Sequence, residues 1–195
     1  MADIKQPTLI SRRTTQLSPW VGVDVVTVRR TDISSSTDEV YHGIQQPDYV
    51  NVLAMTRSGQ FPIVRQYRPV VGAWTLELPG GLRDSDEAPS LTARRELTEE
   101  TGLHTLELVP ISDTFADTGR LTNRLFGFFA LVEGNILPEP GFTVEFIRGE
   151  VLRRYALDSR LDLPCNIAML YLAGIHRDVR AICVQCGFST PPWMI

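Results

Sequence analysis

The sequence predicts an α/β protein in which a mixed β-sheet packs between helices. Three observations lead there. Short segments rich in β-branched and apolar residues recur along the chain, with hairpin-length turns between them. A helix-forming stretch, Pro89 to Thr101, interrupts that series and carries its own start and stop signals. Two further helical stretches follow the last strand. Strands before, between and after helices suit a sheet covered by helices.

Taken in order, residues 1–18 read as polar and irregular, poorly ordered at their start. Trp20 to Val28 (WVGVDVVTV) alternates roughly and is Val-rich, which predicts a strand. Asp32 to Glu39 is a turn cluster, and Val40 to Ile44 a short second strand. The breaker run Gln45 to Asp48 (QQPD) marks a module boundary. It separates an N-terminal β module, residues 1–46, from a main domain, residues 47–195. The main domain begins with strands at Val50 to Thr56 and Pro62 to Tyr67 around the turn Arg57 to Gln60. Another strand, Trp74 to Leu78, is closed by Pro79-Gly80-Gly81. Pro89 suits the first turn of the next helix, where its missing N–H costs nothing. Gly102 stands where a helix C-cap glycine belongs. Leu106 to Ser112, Asn123 to Val132 and Thr143 to Ile147 read as strands, Glu150 to Leu157 and Asn166 to His176 as helices. No internal repeat is present. Near the end of the chain, Pro191-Pro192-Trp193 could tuck against a partner chain.

Composition narrows the function classes. With 43% hydrophobic and 22% charged residues among 195, the chain is not of the disordered type. The apolar run Ile167 to Ala173 is too short for ~30 Å of hydrocarbon. Met1 to Pro7 lacks the apolar core of a signal peptide. A cytoplasmic protein without membrane partners is expected. A net charge of −4 and nineteen scattered Lys and Arg residues argue against nucleic acid, whose binding rests on massed cations. A short phosphate-bearing ligand needs only a few cations and stays open. Three cysteines, Cys165, Cys183 and Cys186, make no disulfide framework. Cys183-x-x-Cys186 is half of a zinc pattern, which His176 or Cys165 would have to complete; two ordinary thiols are the favoured reading.

The most informative segment is Gly80 to Leu103, GGLRDSDEAPSLTARRELTEETGL. On a helix Glu96, Glu99 and Glu100 share one face. Like charges at that spacing cost a helix roughly 0.2–0.5 kcal/mol per pair, and a divalent cation reverses the sign. Mg²⁺ takes hard carboxylate oxygens and keeps positions open for substrate phosphates. Arg95 and Glu99 stand at i,i+4 and can pair, orienting that carboxylate. Leu91, Leu97 and Leu103 offer an apolar side to bury. The loop Pro79 to Asp86 carries two glycines that let backbone approach a metal closely. Glu87 adds a fourth acid. A solvated acidic face is the plainer alternative for such a triplet taken alone.

The spacing Gly81-x5-Glu87-x7-Arg95-Glu96-Leu97-x-Glu99-Glu100-x-Gly102-Leu103 is similar to the Nudix box, G-x5-E-x7-R-E-U-x-E-E-x-G-U, at every fixed position. The resemblance implies an α/β/α sandwich around a mixed sheet and hydrolysis of a nucleoside diphosphate linked to another moiety, with Mg²⁺ or Mn²⁺. It implies metal ligation by Glu96, Glu99, Glu100 and the Gly80 carbonyl, with Arg95 orienting the glutamates. Gln66-Tyr67-Arg68-Pro69 and Glu77-Leu78-Pro79-Gly80-Gly81-Leu82 resemble the QYRP and ELPAGL stretches of the ADP-ribose pyrophosphatase branch. That resemblance places Trp20 and Tyr41 as base-stacking aromatics, Arg68 and Glu77 at the substrate, and the N-terminal module as exchanged in a homodimer. Two departures stand out. Thr118 replaces a proline of the branch in Ala116 to Arg124, where Arg120 and Arg124 offer cations to substrate. The catalytic base of the branch aligns with Phe142, so its neighbour Glu139, in a Pro/Gly loop, is preferred over Glu145, with a box glutamate as the alternative. The implied reaction converts ADP-ribose to AMP and ribose 5-phosphate. The alternatives are a pyrophosphatase for a GDP- or ADP-hexose and a Nudix-fold nucleotide sensor without activity.

Overall fold

In the computed structural model, residues 6–30 and 37–195 are described. The expected loose start of the chain (residues 1–5) and most of the turn cluster at Asp32 to Glu39 lie outside the described residues. The chain forms two compact units, residues 1–47 with 115–124, and residues 48–114 with 125–195.

The first unit is a three-stranded antiparallel sheet, β1 (Thr8–Ser18), β2 (Val21–Arg29) and β3 (Asp38–Gln45), in that order. β1 corrects the reading of residues 1–18 as irregular. It alternates no apolar face because nearly all of it is exposed, and its Thr and Ile residues supply the β propensity instead. Ser18 turns the chain into β2 by accepting from the Trp20 and Val21 amides at 3.2 and 3.1 Å. Asp24 is buried and accepts from the Thr14 hydroxyl at 2.5 Å. The segment 115–124 joins β3 through Ile44, whose N–H donates to the Arg120 carbonyl at 2.7 Å.

The second unit holds two sheets. β4 (Tyr49–Thr56) runs parallel to β8 (Arg124–Glu133), with β7 (His104–Phe115) beyond it. β5 (Gln60–Arg68) lies antiparallel between β6 (Ala73–Glu77) and β9 (Thr143–Arg148). Four helices complete the unit: α1 (Pro89–Thr101), α2 (Gly149–Leu157), α3 (Pro164–Ile175) and α4 (Arg177–Gln185). β4 explains the layering. Val50, Val52 and Ala54 point to the α1 side and pack with Ala93 and Leu97. Leu53 and Met55, one residue out of phase, point to the opposite side and pack with Leu170, Ala173 and Val179. A strand buried on both faces reads as a continuous apolar run, and helices on both faces make the α/β/α sandwich. Leu91, expected on the buried side of α1, is exposed, and Thr92 and Ala93 take the inner positions.

α4 was not anticipated, although Val179, Ile182 and Cys183 show the i, i+3, i+4 spacing of a buried helical face. Trp193 corrects a second expectation. It does not wait for a partner chain but is buried in this chain's own core, with Phe61 edge-on at 5.3 Å and Phe129 stacked at 6.0 Å. Its indole N–H donates to the Leu170 carbonyl at 2.8 Å. Cys183 lies in the same core, where burial pushes its thiol up to about 11. No described helix is long and apolar enough to cross a membrane. Trp193→Ala should therefore lower the unfolding free energy by about 3–5 kcal/mol, the cost of an emptied aromatic site. Urea titration followed by circular dichroism measures it, and an unchanged midpoint would contradict this packing.

Candidate active site

The site begins at the turn between β6 and α1. Pro79 and Gly81 carbonyls accept from the Val52 and Val50 amides at 2.8 and 2.9 Å, so the turn runs alongside β4. Neither glycine there has room for a side chain. A Cβ on Gly80 would stand 2.2 Å from the Val50 carbonyl oxygen, and one on Gly81 would stand 2.2 Å from Glu96 Oε2. The Gly80 N–H points at α1 and donates to Glu100 Oε2 at 2.9 Å. Gly102 closes the helix in a left-handed conformation, φ 77°, with its N–H on the Thr98 carbonyl.

Arg95 gathers the remaining acids. Its Nε and Nη2 donate to Glu87 at 3.3 and 3.0 Å, and its Nη1 donates to Glu96 at 2.7 Å and Glu99 at 3.0 Å. The predicted i,i+4 pair of Arg95 with Glu99 is present, and Glu87 serves as a partner of Arg95. Bonds from Arg95 and Thr92 hold the Glu87 carboxyl below its ordinary range, against the smaller opposing effect of burial. Burial raises Glu96. Burial acts most strongly on Glu100 and pushes it up to about 8, with the charges of Glu96 and Glu77 adding to the rise and the Gly80 N–H opposing it. Among the described residues no three acidic, His or Cys side chains converge as a finished metal cage. Glu96 and Glu99 are instead drawn onto Arg95. The donors nevertheless fit a hard divalent cation, being carboxylate oxygens, and a cation beside the buried Glu100 would favour its ionised form, which burial disfavours.

Arg68 and Glu77, at the ends of β5 and β6, form a two-pronged ion pair, Nε to Oε1 at 2.9 Å and Nη2 to Oε2 at 2.5 Å. Thr75 adds a bond to Glu77 at 2.6 Å. Burial raises the Glu77 carboxyl, but the bonds from Arg68 and Thr75 together outweigh it and leave it below its ordinary range. The fork of Arg68, expected to face phosphate, is thus occupied by Glu77. Both residues line a cavity of about 160 Å³ that also reaches Gly80 and Gly81. On its wall Asn51 of β4 donates to Asn166 of α3 at 2.8 Å. Their other amide halves, Asn51 Oδ1 and Asn166 Nδ2, are buried without a partner, at about 1–3 kcal/mol each. Sequence reasoning missed both residues. The signal was an asparagine inside the apolar run VNVLAM of a buried strand.

Glu139 sits in the loop after β8. Its N–H donates to the Glu99 carbonyl at 2.9 Å, and Leu137 N–H to the Thr101 carbonyl at 3.0 Å, so the loop is latched to the last turn of α1. Glu145 lies on β9 and lines a different cavity with Arg65, Trp74 and Arg160. In the first unit, Trp20 is 61% and Tyr41 52% exposed. Trp20 borders a hollow of about 230 Å³ with Gln16 and Gln46, while the Tyr41 hydroxyl donates to Glu39. Arg120 is exposed, and the Arg124 guanidinium lies 4.8 Å over the Phe115 ring.

An α/β/α sandwich with a glycine turn pressed against an acidic helix is the architecture of a Nudix domain. The family model of the NUDIX domain matches residues 45–157, more than half of the chain, and the protein belongs to that family. An ADP-ribose pyrophosphatase of Bacillus subtilis is 32% identical over 96 residues, 49% of this chain and 51% of that one. An ADP-ribose pyrophosphatase of Mycobacterium tuberculosis is 51% identical over 55 residues, 28% of this chain and 27% of that one. The matches thus span about half of the first relative and about a quarter of the second. The crystal structure of an ADP compounds hydrolase shares the fold, with TM-score 0.77 at 18% identity over 96% of this chain and 99% of that one.

Glu100 gives the metal-free protein a distinctive pH response. Its folded value near 8 lies above its ordinary 4.5. Between the two, the unfolded chain releases a proton that the folded chain retains, so stability falls as pH rises, by up to about 1.4 kcal/mol per unit. Melting temperatures taken from pH 5 to 8 in chelator should decline more steeply for the native protein than for Glu100→Gln. Parallel profiles would refute the assignment.

Proposed function

We propose that the protein hydrolyses the diphosphate bond of a nucleoside diphosphate sugar with the help of a divalent cation, taking ADP-ribose to AMP and ribose 5-phosphate. The observation that carries this reading is the complete acid set of α1, fixed from two sides by Arg95 and by the Gly80 N–H. The two pyrophosphatase relatives support the substrate class. Members of the Nudix family generally use divalent cations such as Mg²⁺ or Mn²⁺.

Glu96, Glu99 and Glu100 would hold the cation, together with the Gly80 carbonyl. When bound, it neutralises charge on the phosphate oxygens and acidifies the attacking water. Arg95 keeps two of the carboxylates in place before substrate arrives, which lowers the cost of ordering them. Glu139, on the loop latched beside Glu99, accepts the proton of the attacking water. A box glutamate is the alternative acceptor. Arg68 and Glu77 brace the substrate side of the cleft. A non-catalytic nucleotide sensor would have no need of all four acids. A GDP- or ADP-hexose is the competing substrate, separated by a panel of nucleotide sugars.

AMP release from ADP-ribose with Mg²⁺, followed by chromatography, tests the reaction, and no AMP with either Mg²⁺ or Mn²⁺ would refute it. Glu100→Gln should lower kcat at least a hundredfold, whereas Glu139→Gln should cost roughly 10²–10⁴-fold, the range of a lost general base.

The first unit supplies the nucleobase contact and the dimer interface. Trp20 keeps a broad exposed ring, and Leu9, Leu17, Val40 and Ile44 are exposed around the sheet, an apolar surface suited to a second copy of the chain. Tyr41, Arg120 and Arg124 complete the proposed substrate contacts of that unit. Sedimentation velocity should show a homodimer. Trp20→Ala should raise KM for ADP-ribose roughly 5- to 150-fold through lost stacking; a monomer with native KM would sink both assignments.

A further inference from the structure

The cavity beside the Gly80 turn contains a pair of amides that the acid cluster does not use. Asn51 is 4% exposed and Asn166 1%. They bond to each other once, through Asn51 Nδ2 and Asn166 Oδ1 at 2.8 Å. One acceptor, Asn51 Oδ1, and one donor, Asn166 Nδ2, remain without a partner. Turning both amides over leaves the same inventory, one donor and one acceptor, with the roles exchanged. A purely structural pair would be expected to meet its remaining halves with protein groups, because buried polar groups almost always do. These two line the cavity instead.

A hydroxyl both gives and takes a hydrogen bond, so it answers such a pair in either orientation. Phosphate oxygens only accept, and an alkyl group does neither. The cavity volume of about 160 Å³ is below the ~300–1,000 Å³ of drug-sized sites and suits one small group. Leu78, Leu82 and Leu163 give it apolar walls for C–H faces. Tyr49, its aromatic side chain, is engaged with Cys165. The cavity also reaches Gly80 and Gly81, so on the pyrophosphatase reading it would take the group esterified to the diphosphate. In a nucleotide sugar that group is a sugar, while the base stands one sugar further away.

We propose that Asn51 and Asn166 bind the hydroxyl groups of the leaving sugar phosphate and so set the preference for a hydroxylated leaving group. The assignment rests on the pyrophosphatase reading for its placement, but it is tested by binding rather than by turnover. Calorimetry compares ribose 5-phosphate with methyl phosphate, which carries the charge without the hydroxyls. The native protein should bind ribose 5-phosphate at least tenfold more tightly. Asn166→Leu should abolish that difference and leave methyl phosphate binding as it was. Because this variant could lose its fold, a second measurement uses the native protein. Cys165 lines the same cavity, 3.7 Å from Asn51, and ribose 5-phosphate should slow its alkylation while Cys186 reacts as before. Equal binding of the two phosphates by the native protein, or unprotected Cys165, would overturn the proposal. Failure to release AMP from ADP-ribose would instead refute the pyrophosphatase reading and leave these binding results standing.

Discussion

The Pro79–Gly81 turn is the narrowest passage in the second unit, and the geometry around it follows from that. β4 presses on Gly80 through the Val50 carbonyl, 2.2 Å from where its Cβ would stand, and α1 presses on Gly81 through the Glu96 carboxylate, at the same distance from its Cβ position. The closeness brings the Gly80 N–H to Glu100 and the Gly81 backbone against the Glu96 carboxylate, while both glycines line the cavity on their other side. An alanine at position 80 would push the turn away from β4, and one at position 81 would displace the Glu96 carboxylate.

Around that turn the charges are arranged with little slack. Arg95 serves three carboxylates, Arg68 is matched to Glu77, and Glu100 has an amide for a partner. Glu100 is raised chiefly because it is buried, with smaller contributions from the charges of Glu96 and Glu77. Folding alone would not select such an arrangement, since burying an ionised carboxylate is costly.

Much of this was legible in the chain. The helix at Pro89 to Thr101 has the predicted limits, because proline and glycine punctuate it and its glutamates repeat at helical spacing. β4 was legible as a mainly apolar run, interrupted by Asn51. What escaped lay where the usual periodicities carry no information. β1 is exposed on both faces and so shows no alternation. Trp193 finds its partners at Phe61 and Phe129, contacts that no local pattern records. The Asn51–Asn166 pair joins residues 115 apart in sequence, and each looks unremarkable in its own segment. The occupation of Arg68 by Glu77 is likewise a matter of strand register, visible only once β5 and β6 are paired.

The placing of the indoles has an optical consequence. The chain has three tryptophans; Trp20 and Trp74 are more than half exposed, whereas Trp193 is 2% exposed between two phenylalanines. Their emission should separate into a red component from solvated rings and a blue component from the core. Quenching by a soluble anion would reach the first and spare the second. Collapse of the sandwich would then report as loss of the blue component, without any label being added.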